Sequence, residues 1–154
     1  MSEANLLNTP LTFPCGKTMK NRFMLAPMTN KQSHEDGTLS DDEYHWLTMR
    51  AKGQFGLVMT CASNAQFNGK CWSGQLGIYD DKHLEGHQRL AAGIQAYGSL
   101  AVVQLHHGGM RCPAELIGAE PVAPSDSPEE GARELSLHEV EQLRNDFIAA
   151  ARRA

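Results

Sequence analysis

The chain has 154 residues and a formal net charge of −4 at pH 7. This length is enough for one domain with a hydrophobic core, and the charge supplies no basic field for nucleic acid or anionic lipid. No apolar run approaches the ~20 residues of a membrane helix. Residues 1–5 lack the charged and apolar regions of a signal peptide. We therefore expect a cytoplasmic protein that binds neither nucleic acid nor membranes.

The cysteines are Cys15, Cys61, Cys71 and Cys112, and no two of them have CxxC spacing. Cytoplasmic proteins keep most of their thiols reduced, and structural zinc sites usually contain closely spaced cysteine pairs. The sequence therefore predicts free thiols and no cysteine-based metal site.

The first predicted elements are a strand and a helix. The apolar run at residues 22–28 predicts a strand that ends near Pro27, because proline cannot donate a ladder hydrogen bond. A polar loop follows. Ser40 and Glu43 have the spacing of a capping box, so we expect a helix from there to about Lys52, before Gly53.

Two further strand–helix units follow. Residues 56–62 form a nearly continuous apolar run, which is typical of a parallel strand that is covered on both faces. A helix is predicted from Asp80 to about Tyr97. The third strand is predicted at residues 100–106, and a second capping box at Ser136 begins a helix that continues to Ala154.

Strands separated by helices must run parallel, with right-handed crossovers. Either an open doubly wound sheet or part of a barrel satisfies this order, but the first strand–helix junction lacks the G-x-G-x-x-G fingerprint of a dinucleotide-binding sheet. We therefore predict an α/β fold, the N-terminal portion of a (β/α)8 TIM barrel with about three βα units. A complete barrel needs eight strands and typically ~250 residues. Residues 1–154 are thus interpreted as a partial barrel domain, truncated after its third helix.

Four segments carry a family resemblance. They are a K-N-R run that leads to Pro27-Met28, a glycine-flanked strand start at residues 53–58, an L-G-I segment at residues 76–83, and a Q-L-x-H-x-G segment at residues 104–109. In this order they resemble the old yellow enzyme family of FMN-dependent NAD(P)H oxidoreductases. The resemblance covers almost the whole chain.

The resemblance implies an enzyme that binds FMN, takes hydride from NADH or NADPH, and reduces the C=C bond of an α,β-unsaturated carbonyl compound. In such barrels the active site lies at the carboxyl ends of the strands. The positions that match FMN contacts of the family are Ala26, Pro27, Met28, Thr29, Ala62 and Gln104. His106 matches a position that borders the substrate pocket. The catalytic residues themselves cannot be assigned in this chain.

The chemistry of these residues suits a flavin ring. Small residues such as Ala26 and Ala62 let a flat ring approach the backbone closely. The Gln104 amide can both donate to and accept from the polar edge of the ring, and the Thr29 hydroxyl can donate to a ring carbonyl oxygen. Such a donor stabilises the charge that gathers on a reduced flavin.

Each assignment has a structural alternative. Gln104 could satisfy loop backbone, and Thr29 could cap the turn that follows its strand. Trp72 could cover either a ligand or the barrel rim. His83 and His87 lie four residues apart on one helix face, but they lack the H-E-x-x-H pattern, so we interpret them as surface histidines and expect no metal.

The chain departs from the family in two respects. Met110 stands where the family has an arginine, and Arg111 follows it. The family's carbonyl-binding pair, its proton-donating tyrosine and its phosphate-binding loops belong to later strands. Two alternatives therefore stay open: a non-catalytic half-barrel or partner subunit that associates with a second copy or a complementing chain, and a barrel of unrelated chemistry.

Overall fold

The computed structural model describes the backbone of residues 3–154 and the side chains from residue 5 onward. Its helices are α1 (Glu3–Leu7), α2 (Asp41–Lys52), α3 (Leu84–Gln95), α4 (Ala114–Ile117) and α5 (Leu137–Arg153). Its strands are β1 (Leu11–Thr12), β2 (Thr18–Met19), β3 (Met24–Leu25), β4 (Leu57–Asn64), β5 (Leu100–His106), β6 (Val122–Ala123) and β7 (Arg133–Glu134). Within this described part, no helix is both long and apolar enough to cross a membrane.

The central sheet has the predicted topology. Its strand order is β3-β4-β5, and both pairings are parallel. In register, Leu25 lies beside Val58, and Val58 lies beside Ala101. β3 is shorter than predicted, since it ends two residues before Pro27, and β4 continues to Asn64. The three parallel strands alternate with α2, α3 and α5, which confirms the predicted βα units.

Helices α2 and α3 cover one face of this sheet. Their main core cluster contains Leu25, Leu47, Val58, Leu90 and Ile94. Full burial of an aliphatic side chain of this size stabilises a fold by about 1.5–3 kcal/mol. The apolar side chains recur at helical spacing in α2 and α3, so the sequence pattern determines which face of each helix meets the sheet.

The two predicted helix caps differ in the structure. Ser136 and Glu139 form the reciprocal capping box of α5. Ser40 caps α2 by accepting a 3.1 Å hydrogen bond from the Glu43 N–H. The Glu43 side chain does not return to the cap, however, because it is buried and accepts a hydrogen bond from the Ser33 hydroxyl. The α2 box is therefore only half formed.

An N-terminal hairpin and a β-bulge were not predicted. The antiparallel pair β1–β2 places Phe13 and Cys15 beside a cavity of about 340 Å³ near the amino ends of β4 and β5. Two-residue strands carry too little hydrophobic pattern to be recognised in a sequence. Between Met59 and Ala62 the register of β4 against β5 shifts by one residue. There the Thr60 hydroxyl accepts a 3.1 Å hydrogen bond from the Gln104 N–H, in place of a backbone acceptor.

Candidate functional site

The predicted site residues follow or end neighbouring parallel strands at one edge of the sheet. Residues 26–29 continue the chain from the end of β3, Ala62 pairs in register with Gln104, and Asn64 pairs with His106. Ala26, Met28 and Thr29 are exposed, whereas Gln104 and His106 are half-buried. We call this edge the rim; it comprises Ala26, Pro27, Met28, Thr29, Ala62, Gln104 and His106. Parallel strands bring their carboxyl ends to the same edge, so the topology agrees with the predicted grouping.

The face on which Gln104 lies follows from strand alternation. Val103 and Leu105 pack, together with Phe147 of α5, against a buried cluster that contains Ala150 of the same helix, on the helix-covered side of the sheet. Successive side chains of a strand point to opposite faces, so Gln104 and His106 lie on the other face. Among the described residues the Gln104 side-chain amide has no hydrogen-bond partner. Its donors and its acceptor are therefore available to a ligand.

Gln75, which was not predicted, organises the loop that follows β4. Its side chain is 1% exposed. Its Nε2 donates a 3.0 Å hydrogen bond to the Ala62 carbonyl oxygen, and its Oε1 accepts a 2.7 Å hydrogen bond from the Cys71 N–H. Because one backbone partner can only accept and the other can only donate, the orientation of this amide is determined without ambiguity. The amide thereby connects the loop to the rim.

The Gln75 amide also determines the tautomer of His106. Gln75 Nε2 lies 3.4 Å from His106 Nδ1. An amide NH2 group can only donate, so Nδ1 must accept, and the imidazole is neutral with its proton on Nε2. Burial lowers the pKa of His106, which favours the same neutral form. The Trp72 ring lies 5.9 Å from the His106 ring at 46°, so Trp72 covers this part of the rim.

A buried carboxyl group supports the loop that carries Thr29. Glu43 of α2 is 0% exposed; it accepts a hydrogen bond from Ser33, and one of its oxygens, Oε1, has no partner among the described residues. Burial raises the pKa of Glu43, and burial together with the neighbouring Glu43 raises the pKa of the Cys61 thiol to about 12. Ser33 lies four residues after Thr29, so Glu43 anchors the segment that leaves the rim to a rigid helix.

His83 and His87 are buried rather than on the surface, so that interpretation was wrong. They are 2% and 6% exposed, and His87 Nε2 lies 2.9 Å from the carbonyl oxygen of Gly77. His83 Nδ1 lies 3.3 Å from the backbone nitrogen of Asp80, whose N–H donates to it. Burial lowers the pKa of both imidazoles. The two imidazoles therefore act as buried hydrogen-bond partners for backbone groups of Gly77 and Asp80, in the segment before α3.

No metal-binding cluster of three His, Cys, Asp or Glu side chains occurs among the residues that the structure describes. Arg111, which follows the position of the family arginine, is exposed at the end of a 3₁₀ helix, Gly109–Arg111. The rim therefore offers neutral donors and acceptors rather than a cluster of cations.

A family model described as the NADH:flavin oxidoreductase / NADH oxidase family matches residues 6–154. The chain belongs to this family. Its members use FMN, with NADH or NADPH as the reductant. The match confirms the resemblance that the four sequence segments indicated.

Two relatives illustrate the match. A probable NADH-dependent flavin oxidoreductase, YqiG of Bacillus subtilis, is 44% identical over 149 residues, which cover 94% of this chain and 40% of the relative. An NADH:fumarate oxidoreductase of Klebsiella pneumoniae is 37% identical over 151 residues, which cover 94% of this chain and 16% of the relative. The chain thus spans less than half the length of either relative.

The fold agrees with solved structures. The old yellow enzyme homologue from Zymomonas mobilis superposes with a TM-score of 0.88 at 30% identity, over 96% of this chain and 44% of that structure. The three βα units are thus the N-terminal portion of a TIM-barrel fold of old yellow enzyme type, as predicted.

Proposed function

We propose that the chain is the flavin-binding N-terminal part of an FMN-dependent NAD(P)H oxidoreductase of old yellow enzyme type, which reduces C=C bonds activated by a carbonyl group. The observation that carries the proposal is the rim: in a chain of this family, Ala62 and the unpaired amide of Gln104 are register partners at the edge where β3 delivers Thr29. Barrels of this kind place their active sites at this edge.

The rim suits an isoalloxazine ring in size and in chemistry. Ala26 and Ala62 present small side chains, which permit close approach of a flat ring. Gln104 supplies an amide that donates and accepts, and Thr29 supplies an exposed hydroxyl. Pro27 and Met28, which lie between Ala26 and Thr29 in the sequence, contact the same ring in this proposal. When bound, FMN supplies the hydride chemistry; these residues orient one edge of its ring and stabilise charge there.

His106 is proposed to bind the substrate. Its neutral Nε2–H, selected by Gln75, is a donor for the carbonyl or carboxylate oxygen of an activated alkene. The name of the Klebsiella relative gives fumarate as its substrate, an alkene that carries a carbonyl carbon on each side. The same names include NADH, and other relatives are named NADPH dehydrogenases, so either nicotinamide is a candidate reductant.

The phosphate of FMN is proposed to bind outside residues 1–154. In (β/α)8 barrels, phosphate often lies at the loops after strands seven and eight and at a helix N-terminus. The first turns of α2 and α5 carry carboxylates, and Asp81 precedes α3, so these helix ends repel an anion. We therefore expect weak FMN binding and little ene-reductase activity from this chain alone.

A second candidate is a non-catalytic half-barrel or partner subunit. It is favoured by the outer edge of the structure, where every residue of β5 is half-exposed. Beside β5 lies an apolar groove of about 510 Å³, lined mainly by Leu105, Val140, Leu143, Phe147 and Ile148. A complementing chain, or a second copy of this one, would cover this groove. A cytoplasmic location, expected from the sequence, stays a prediction.

Fragment complementation distinguishes the two candidates. This chain is mixed during refolding with the C-terminal part of the Bacillus relative and supplied with FMN, NADPH and cyclohexenone. The enzyme proposal predicts a bound flavin spectrum and cyclohexenone reduction that neither part shows alone. The relative's own N-terminal part is the matched control. If that control restores turnover and this chain restores only assembly, the chain is a non-catalytic partner.

A further inference from the structure

Two cysteines that the proposed reaction does not use lie against the same glycine. Cys71 lies in the loop after β4, and Cys112 lies in the loop after β5. Both sulfurs pack against Gly108: an ideal Cβ at Gly108 would lie 2.0 Å from Cys71 Sγ and 2.6 Å from Cys112 Sγ, so the two sulfurs are less than 5 Å apart. The glycine thus gives both sulfurs room to occupy one pocket.

Backbone hydrogen bonds hold the two loops together. The Gly108 N–H donates a 3.0 Å hydrogen bond to the Gly69 carbonyl oxygen, which directly connects the loops. The Cys71 N–H is held by Gln75, and the Cys112 N–H donates a 3.1 Å hydrogen bond to the Gly109 carbonyl oxygen. These hydrogen bonds fix the backbone at each cysteine, and the fixed backbone holds the two sulfurs near each other.

We propose that Cys71 and Cys112 are a redox modification site, which a hydroperoxide converts from two thiols to one reversible disulfide. The other two cysteines lack this arrangement. Cys15 is exposed on the N-terminal hairpin, and Cys61 is buried beside Glu43. The pair is outside the rim, so this site does not depend on flavin binding.

The two thiols have different roles in the oxidation. Cys71 is half-buried, whereas Cys112 is 3% exposed, so the peroxide reaches Cys71 first. Burial raises the pKa of Cys71, but the Cys112 thiol and the positive charge of Arg111 oppose that rise. Burial raises the pKa of Cys112 to about 12. Cys71 is therefore the nucleophile and Cys112 the resolving thiol.

The reaction balances with hydrogen peroxide as the oxidant. The Cys71 thiolate attacks one peroxide oxygen, the O–O bond breaks, and Cys71 becomes a sulfenic acid, while the other oxygen leaves as hydroxide and takes up the proton that the thiol released to become water. The Cys112 sulfur then attacks the Cys71 sulfur. The S–S bond forms, the S–O bond breaks, and the hydroxyl group leaves as a second water with the Cys112 proton. Two thiols lose two electrons, and one peroxide gains them.

Peptide mapping after mild peroxide treatment tests the site. Trypsin places the four cysteines on four different peptides, 1–17, 53–70, 71–82 and 112–133. The test uses a C15S background, which prevents links between molecules through the exposed Cys15. We expect this denatured chain to fall from three titratable thiols to one, with peptide 71–82 linked to peptide 112–133 and the link lost on reduction.

Two variants identify the roles of the thiols. In C112S, Cys71 is expected to stop as a sulfenic acid that dimedone traps; in C71S, oxidation should slow at least tenfold, since Cys112 is buried. Links that involve Cys61, an unchanged thiol count, or overoxidised Cys71 without a link in the C15S chain would overturn the proposal.

Discussion

The side-chain amide of Gln75 donates a 3.0 Å hydrogen bond to the carbonyl oxygen of Ala62, so one buried loop residue holds the end of β4 in place. The same amide accepts from the Cys71 N–H. The hydrogen bond to Ala62 supports the rim, because Ala62 is the residue that pairs with Gln104.

Replacement of Gln75 by leucine should destabilise the chain. Two backbone groups, the Ala62 carbonyl and the Cys71 N–H, lose their partner, and each unsatisfied buried group costs about 1–3 kcal/mol. Urea unfolding measures the difference in free energy. Gln95→Leu, at an exposed position of α3, is the matched control, and equal stability of the two variants would contradict the account.

The tautomer of His106 can be observed directly. Nitrogen NMR of the imidazole should show a proton on Nε2 and an unprotonated Nδ1 at neutral pH, because the Gln75 amide can only donate. In Gln75→Leu the preference should weaken, since the donor to Nδ1 is gone. A proton on Nδ1 in the unmodified chain would refute the hydrogen-bond assignment.

Stability should fall in mild acid because of His83 and His87. Burial lowers the pKa of both in the folded state, so below the ordinary value of about 6.5 the unfolded chain takes up protons that the folded chain does not. The stability that the two neutral histidines contribute is therefore fully present above that pH and is lost as the pH falls. Chemical denaturation between neutral pH and mild acid measures the slope. His87→Gln should reduce it, whereas the exposed control His138→Gln should leave it unchanged.

Glu43 should act in the opposite direction. Burial raises its pKa, so its protonated form suits the fold, and stability falls as the pH rises above the ordinary glutamate value of about 4.3. Glu43→Gln keeps a neutral hydrogen-bonding group and should be at least as stable as the unmodified chain at pH 8. Glu43→Ala leaves Ser33 unpaired and should cost about 1–3 kcal/mol. If Glu43→Gln is clearly less stable than the unmodified chain at pH 8, the neutral form of this group is not the one that suits the fold, and the account is contradicted.

The sheet and its helices could be predicted from the sequence because their signals are local. The buried runs around Val58 and Val102 and the helical spacing of Leu90 and Ile94 depend only on neighbouring residues. Proline at position 27 marked the end of β3 to within two residues. The rim followed, since parallel topology alone determines which strand ends meet.

The supports of the rim could not be predicted. Gln75 and Glu43 are polar residues in segments that look exposed, and only the approach of distant elements buries them. The β-bulge of β4 depends on a contact between Thr60 and Gln104, which are 44 positions apart. A capping-box pattern correctly predicted the start of α2 but misplaced the Glu43 carboxyl, because a tertiary contact with Ser33 replaced the local one.

A titration of the isotope-labelled chain with FMN, followed by amide NMR, tests the central claim that the rim holds one edge of the flavin ring. We expect weak binding, with a dissociation constant above about 1 μM, and similar affinity for riboflavin, because the phosphate has no site here. The largest shifts should fall on the Gln104 side-chain amide and on the backbone of Thr29 and Ala62, and Gln104→Leu should reduce them while Gln95→Leu should not. Shifts that are absent from these three residues, or that fall mainly beside the N-terminal hairpin, would contradict the account.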